Sequence, residues 1–433
     1  MKKIDKIKNG FISRQFSIAK LAYKSGKNFL FSGDKTLKEK LKAGFEGQVD
    51  EIVHELGLMK GSIMKAGQML SLHAGEFLPP EARNVLKSLE NHTYYLDWEQ
   101  IKGQVPKEWH EKLDIQRDPV AAASLGQVHI AIDKETGAKY AMKIQYEGVK
   151  KAIEQDVKAL KMLLKMLNLL PKDVDLSLVF EEIKAMLYKE TDYKNEAEAT
   201  KRYAELTKDI DWVLTPDVIE EFCTDTVLTT TWMEGLPLRD EGITTLPQAA
   251  RNELGANFMD LFLKEIYEWG VIQTDAHFGN FMVTPDYKKW ILIDFGATKY
   301  ASDSESKNYR DLITSCAYRD RDKFLGTVQD MGYLSKKNST NQDTLWEYCE
   351  LISEPFNQYP YNWGISDIPE KAMQMSQKLA SDIDLGRPPG DTVFIDRKVA
   401  GVFHVLKHLG CVIDSKKLLA NYIEDQSNTS QVC

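Results

Sequence analysis

Apolar residues recur every three or four positions through LKEKLKAGFEGQVDEIVHELGLMKGSIMKAGQMLSLHAGEFL, the spacing of one helix face. Pro79-Pro80 breaks the pattern, and EARNVLKSLENH resumes it after Glu81, so residues 35–114 read as a helical block. QVHIAID and AKYAMKIQ are strand-like runs on either side of KETG, a turn-rich tetrapeptide suited to a hairpin. Helical spacing returns at 147–170 and 177–206. VLTPDVIEEFC and TVLTTTWMEG read as strands leading to a linker at Gly235-Leu236-Pro237. An amphipathic helix is predicted over 248–270. FMVTP and KWILID follow as short strands around the Asp286-Tyr287-Lys288-Lys289 turn. The rest is mostly helical as far as residue 425, and 426–433 is expected to be a disordered tail. The pattern predicts an α+β protein without an internal repeat: helical to 114, strand-rich with inserted helices over 115–235, and mostly helical over 236–425.

Composition refines this picture. The 433 residues leave room for two or three domains, and 43% apolar content is enough for a large core. A net charge of −9 argues against general nucleic-acid binding. The charge is uneven: residues 1–30 carry eight lysines and arginines against Asp5, a local +7 that leaves −16 elsewhere. Over residues 1–34, Ile4, Ile7, Phe11, Phe16, Leu21 and Phe29 share parts of a helical face. Such a basic amphipathic segment can lie on an anionic membrane; packing against the domain, or a frayed arm, is the alternative. No stretch approaches the roughly 18–20 apolar residues of a membrane span. The five cysteines show neither CxxC nor metal spacing, and without a secretory signal a reducing compartment is expected. The basic N-terminus is a poor transit signal, which favours a bacterial cytoplasm over a mitochondrial matrix.

The chemistry concentrates in QTDAHFGN (273–280) and ILIDFG (291–296). An Asp, an Asn five residues later and a DFG beyond them follow the catalytic-loop and metal-loop order of a protein kinase. Asp275 can meet a substrate hydroxyl; Asn280 and Asp294 offer the oxygen ligands that suit Mg²⁺. Taken singly, these are ordinary turn residues. Upstream, Lys143 ends an apolar run in YAMKI and can reach nucleotide phosphates if a helix glutamate, with Glu196 the first choice, holds it. His277 suits loop packing better than catalysis. Gln273 and Thr274 stand where protein kinases carry the His and Arg of HRD, and no APE follows DFG. Both departures weigh against protein substrates. The nucleotide loop reads AAASLGQ (121–127) instead of GxGxxG. Backbone N–H groups can still cradle phosphate there, although alanines restrict the chain more than glycines. Ala123→Gly is therefore expected to change the relative affinities for ATP and ADP, measurable by titration calorimetry. Lys65-Ala66-Gly67-Gln68 places a glycine inside a helix, which close packing explains. A functional role for Lys65 needs a partner such as Glu190 or Asp192.

Together these motifs resemble the UbiB family, the aarF-domain kinase-like ATPases. The similarity rests on KAGQ (65–68), LPPEARNVL (78–86), AAASLGQVH (121–129), AMKIQYEGV (141–149), ETDYKNEA (190–197), QTDAHFGN and DFGAT (294–298), in order across about 60–300. QTD and DFGAT are most similar to the subgroup tied to ubiquinone biosynthesis. The resemblance implies a two-lobed atypical protein-kinase-like fold whose KxGQ extension covers the place where a protein substrate would dock. It implies that Lys143 and Glu196 form the phosphate-binding ion pair. Lys65 and Gln68 would face the active site opposite Glu190 and Asp192. Ala121, Ala122 and Ala123 would line the nucleotide loop, and Trp232, Met233 and Glu234 the adenine hinge. ATP or ADP with Mg²⁺ are the implied cofactors. An anionic membrane surface and quinone-biosynthesis proteins or lipid intermediates are the implied partners. ENHTYY (90–95) lacks the family's aromatic-proline ending, and Ala276 and Phe278 replace prolines of many bacterial members.

The leading expectation is an Mg²⁺-dependent ATPase supporting ubiquinone biosynthesis at a membrane. A non-catalytic nucleotide-switched scaffold and a small-molecule phosphotransferase are the alternatives. Binding without turnover separates the first alternative, and product analysis with candidate alcohols the second.

Overall fold

The computed structural model describes residues 2–4, 62–74, 94–122, 125–166, 176–332, 342–372 and 392–429, with Leu78, Leu86, Leu170 and 374–375 besides. Most of the basic N-terminal segment, much of the helical extension, Ala123 and residues 430–433 lie outside them. The chain divides into two compact units: Met1–Glu198 with Asp217–Trp232, and Ala199–Pro216 with Met233–Cys433.

In the first unit, β3 (Leu113–Ile115), β5 (Gly126–Asp133), β6 (Lys139–Gln145) and β8 (Val227–Thr231) lie side by side, and β4 (Ala121–Ala122) also pairs with β5. Every pairing in this sheet is antiparallel. The β5–β6 hairpin forms where KETG predicts it. Asp133 Oδ1 accepts the Glu135 and Thr136 N–H groups, and Gly137 supplies the positive φ of 73° that closes the turn. Apart from this sheet, β1 (Lys2–Ile4) pairs in parallel with β2 (Tyr94–Leu96). Three helices follow the amphipathic pattern: α1 (Ser62–Ala74), α2 (Val149–Met166) and α3 (Ser177–Glu190). Their apolar positions, among them Ile63, Ala66, Leu70, Ile153, Leu160, Ile183 and Leu187, share one core with Met142 and Ile144 of the sheet. The single helix expected over 177–206 is interrupted. It stops at Glu190, and α4 (Tyr193–Thr207) starts anew, because Asp192 caps it by accepting the Asn195 N–H at 3.1 Å.

The buried side chains of Gln127 and His129 in this unit are hydrogen-bonded. Gln127 exchanges two hydrogen bonds with the Leu96 backbone at 2.9 and 3.1 Å. Its other amide hydrogen meets His129 Nε2 at 2.9 Å, while His129 Nδ1 donates to the Gln116 carbonyl at 2.7 Å. That pattern assigns a neutral Nδ1–H imidazole. Burial pushes its pKa below the ordinary 6.5, against the pull of the Gln116 bond. The folded state therefore refuses a proton that the unfolded chain accepts. This contribution to stability is complete above about pH 6.5 and is lost as pH falls through the lowered folded value. Comparing acid unfolding of wild type and His129→Gln is expected to show a shallower pH slope in the variant.

In the second unit, β7 (Val213–Leu214), β12 (Trp290–Leu292), β11 (Phe281–Val283) and β9 (Leu236–Pro237) form one small sheet, and β10 (Val271–Gln273) pairs antiparallel with β13 (Thr298–Tyr300). The main helices are α5 (Gln248–Lys264), α6 (Asp303–Ala317), α7 (Arg321–Asp330), α8 (Gln342–Ile352), α9 (Thr392–Leu409) and α10 (Ser415–Thr429). The C-terminal helix thus continues to Thr429, into the stretch read as a disordered tail. Helix α6 starts with a capping box: Ser302 accepts the Glu305 N–H, and Glu305 accepts the Ser302 N–H. Trp290, Phe258, Phe281, Phe295 and Trp363 anchor the core of this unit. Cys316 and Cys349 form a disulfide between α6 and α8, which the expectation of a reducing compartment did not include. Among the described residues, no helix is long and apolar enough to cross a membrane.

Candidate nucleotide and catalytic site

In the first unit, Lys143 lies in mid-sheet, opposite Val128 on β5 and Leu228 on β8. Its Nζ reaches both carboxylate oxygens of Glu196, at 2.6 and 2.9 Å. Glu196, in the first turn of α4, is only 3% exposed. Tyr193, one turn earlier, lies beneath the ammonium with its ring centre 5.2 Å away. The lysine is thus held extended by charge on one side and an aromatic face on the other.

Gly126 makes this arrangement possible. A Cβ there would stand 2.5 Å from the Ile144 carbonyl oxygen and 2.9 Å from Tyr193 Oη. Gly126→Ala is expected to destabilise the protein by about 1–3 kcal/mol, the usual penalty for overpacking; a denaturant midpoint measurement checks this. Ala121 and Ala122 form β4 and pair with Val128 and Gln127 of β5.

Helix α1 brings the KxGQ lysine into the same unit. Lys65 Nζ lies 2.7 Å from Glu190 Oε1, with both side chains about one quarter exposed. The helix is fixed at its start by a buried hydrogen bond from Ser62 Oγ to Asp156 on α2. Of the two partners weighed for Lys65, the structure brings Glu190 to it. Asp192 caps α4 and, with Gln145, Lys150, Lys151 and Lys194, lines a cavity of about 430 Å³. The Gln68 side chain lies outside the described residues.

In the second unit, β10 delivers the chain to Asp275. Asn280 Nδ2 donates to the Asp275 carbonyl at 2.8 Å and to its Oδ2 at 3.1 Å, so the two residues form one rigid loop. Both amide hydrogen bonds go to Asp275, so Asn280 meets it through the nitrogen end of its side chain. Asp294 Oδ1 accepts the Gly296 N–H at 3.0 Å. Gln273 and Thr274 are buried and structural: Gln273 Nε2 donates to the Asp294 carbonyl, and the Thr274 N–H and O–H both donate to Ala297 O. The positions of the absent His and Arg therefore clamp the end of β10 to the DFGAT segment. His277 is exposed and accepts the Gly279 N–H, a loop-shaping role. Trp232 closes the first unit and Met233 opens the second, so the division falls within the segment expected to be the hinge.

Four residues here escape sequence reading. Tyr203, Glu265, Lys398 and Gly401 surround the loop from α4, the end of α5 and α9. In sequence, Glu265 and Lys398 look like ordinary helix-surface charges; they are fully buried.

A model of the ABC1 atypical kinase-like domain matches residues 88–327. The chain belongs to the ABC1 atypical kinase-like family, in agreement with the resemblance drawn from its motifs. Among individual proteins, it is 31% identical over 393 residues to the mitochondrial atypical kinase COQ8 of Saccharomyces cerevisiae, covering 86% of this chain and 75% of that one. It is 30% identical over 377 residues to the mitochondrial atypical kinase COQ8B of Rattus norvegicus, covering 84% and 71%. A solved structure, the complex of Rv3197 with erythromycin from Mycobacterium tuberculosis, superposes with a TM-score of 0.59 at 25% identity, covering 89% of this chain and 98% of that one. The fold is protein-kinase-like and α+β, as expected.

Proposed function

We propose that the protein is an Mg²⁺-dependent kinase-like ATPase that supports ubiquinone biosynthesis at a membrane surface. The observation that carries this reading is the Lys143–Glu196 pair, in which both oxygens of one buried carboxylate accept from the lysine ammonium. Lys143 would bind the phosphates of ATP. Asp275, fixed by Asn280, would orient water or a substrate hydroxyl. The rigid Asp275–Asn280 loop keeps that orientation without reorganisation, which is how a site of this class lowers its barrier.

The donor set fits magnesium. Asn280 and Asp294 offer oxygen only, and two protein oxygens leave most of an octahedral shell to phosphate and water. Bound Mg²⁺ would offset charge on the phosphate oxygens. The Gly296 N–H holds one Asp294 oxygen and so sets the direction of the carboxylate.

The ion pair between Lys65 and Glu190 supports an N-terminal extension that acts on the nucleotide site. Absence of the HRD and APE features favours water or a small hydroxyl compound over a protein as acceptor. The names of the yeast and rat relatives support an atypical kinase and a mitochondrial setting, with a bacterial cytoplasm the alternative compartment, while the quinone-linked role rests on the motif resemblance. The basic segment 1–34 would supply the charge for anionic lipid and supports a peripheral setting. Phosphate release with anionic liposomes and a 2-alkylphenol tests the membrane role: stimulation supports it, and identical rates with and without them would remove it. The buried, structural roles of Gln273 and Thr274 favour one second reading, a nucleotide-switched scaffold, marked by binding without release.

A further inference from the structure

Helix α9 lies beyond the stretch that the family model matches, yet it approaches the catalytic loop at two points. The first is electrostatic. Lys398 Nζ sits 2.5 Å from Glu265 Oε2 in a buried ion pair, with side-chain exposures of 1% and 0%. Glu265 Oε1 accepts the Tyr203 O–H at 2.9 Å and the Gln273 N–H at 3.4 Å. Gln273 is two residues before Asp275. Tyr203 also donates towards the Val271 carbonyl at 3.2 Å, and its ring centre lies 4.7 Å from that of Phe295, the residue after Asp294. One carboxylate is therefore tied to the strand that delivers Asp275 and, through Tyr203, to the ring beside Asp294. It also opens a π-helical turn, Glu265–Trp269, a form that occurs often at functional sites.

The second point is steric. Gly401, one turn after Lys398, backs onto Ala276. A Cβ at 401 would fall within 2.7 Å of the Ala276 carbonyl oxygen and collide with the Ala276 methyl. Ala276 is the residue after Asp275, so the loop can lie where it does only while position 401 has no side chain.

Core stability is a poor reason for such an ion pair. Taking both charges out of water offsets most of their attraction, and apolar pairs of similar volume often serve as well or better. What an apolar pair cannot do is accept the Gln273 N–H and the Tyr203 O–H in fixed directions.

We propose that α9 positions the catalytic loop, with Lys398 acting through the Glu265 carboxylate and Gly401 by close contact with Ala276. Both are positioning residues, and the inference rests on Asp275 being the catalytic-loop aspartate.

The test uses the full chain and three variants: the double Glu265→Met/Lys398→Met, Gly401→Ala and, as control, Asp275→Asn. Thermal unfolding, Mg-ATP affinity and phosphate release are measured for each. The double variant is expected to fold, with a midpoint lowered by loss of the acceptor for the buried Gln273 N–H and Tyr203 O–H, and to bind Mg-ATP as wild type does. Its turnover is expected to drop about 10- to 100-fold, the scale of a misplaced reacting group. Gly401→Ala is expected to show the same split, lower kcat at unchanged nucleotide affinity. The two variants are independent, and one that folds suffices. A folded variant with wild-type kcat would overturn the inference, because a purely structural pair predicts that result. If Asp275→Asn turns over as fast as wild type, the reading of Asp275 fails instead. If Asp275→Asn is inactive while the double variant is fully active, only the role given to α9 fails.

Discussion

Asp294→Asn is expected to lower ATP turnover by about a hundredfold or more, the scale seen when charge stabilisation is removed from a phosphoryl-transfer site. The substitution is nearly isosteric. An asparagine oxygen can still accept the Gly296 N–H, so the loop after Asp294 keeps its anchor. Gln273 holds the backbone carbonyl of residue 294, which the change leaves in place. What disappears is the negative charge that would hold Mg²⁺ against phosphate. Thermal unfolding should be near wild type while phosphate release is lost. Wild-type-like turnover in a folded variant would sink the metal assignment.

Lys143→Met is expected to lower turnover by about 10²–10³-fold, because it removes a positive charge from the phosphate side of the transition state. It has a second consequence. Glu196 is 3% exposed and loses both bonds to the ammonium, so stability should fall by about 2 kcal/mol, typical of a hydrogen bond to a charged group. Glu196→Gln separates the two effects. Its amide oxygen can still accept from Lys143, so less stability is lost while the lysine is held less firmly. Measuring nucleotide affinity and urea midpoints on both variants distinguishes a phosphate-binding lysine from a structural one. If Lys143→Met affects only stability, the lysine is structural.

Some of this was legible in sequence for identifiable reasons. Lys143, Glu196, Asp275, Asn280 and Asp294 are separated by fixed elements whose order alone suggests a kinase-like core. The β5–β6 hairpin was readable because Asp133 and Gly137 carry local turn chemistry that needs no tertiary partner. The break between α3 and α4 was missed because apolar spacing continues across 190–193; only the Asp192 cap marks it. The Lys398–Glu265 pair could not be read, since its members are 133 residues apart and each looks like an ordinary helix charge. Gly126 and Gly401 carry no sign in sequence of which backbone approaches them. For Lys65, spacing alone does not choose a partner, and the packing of α1 sets it beside Glu190.

The most direct test of the central claim is phosphate release from ATP by the purified full chain, measured with Mg²⁺ and again with excess chelator. Continuous release that stops when the metal is removed and is absent in Asp294→Asn is the predicted result. Tight nucleotide binding without release under any condition would contradict the ATPase and leave a nucleotide-switched scaffold in its place.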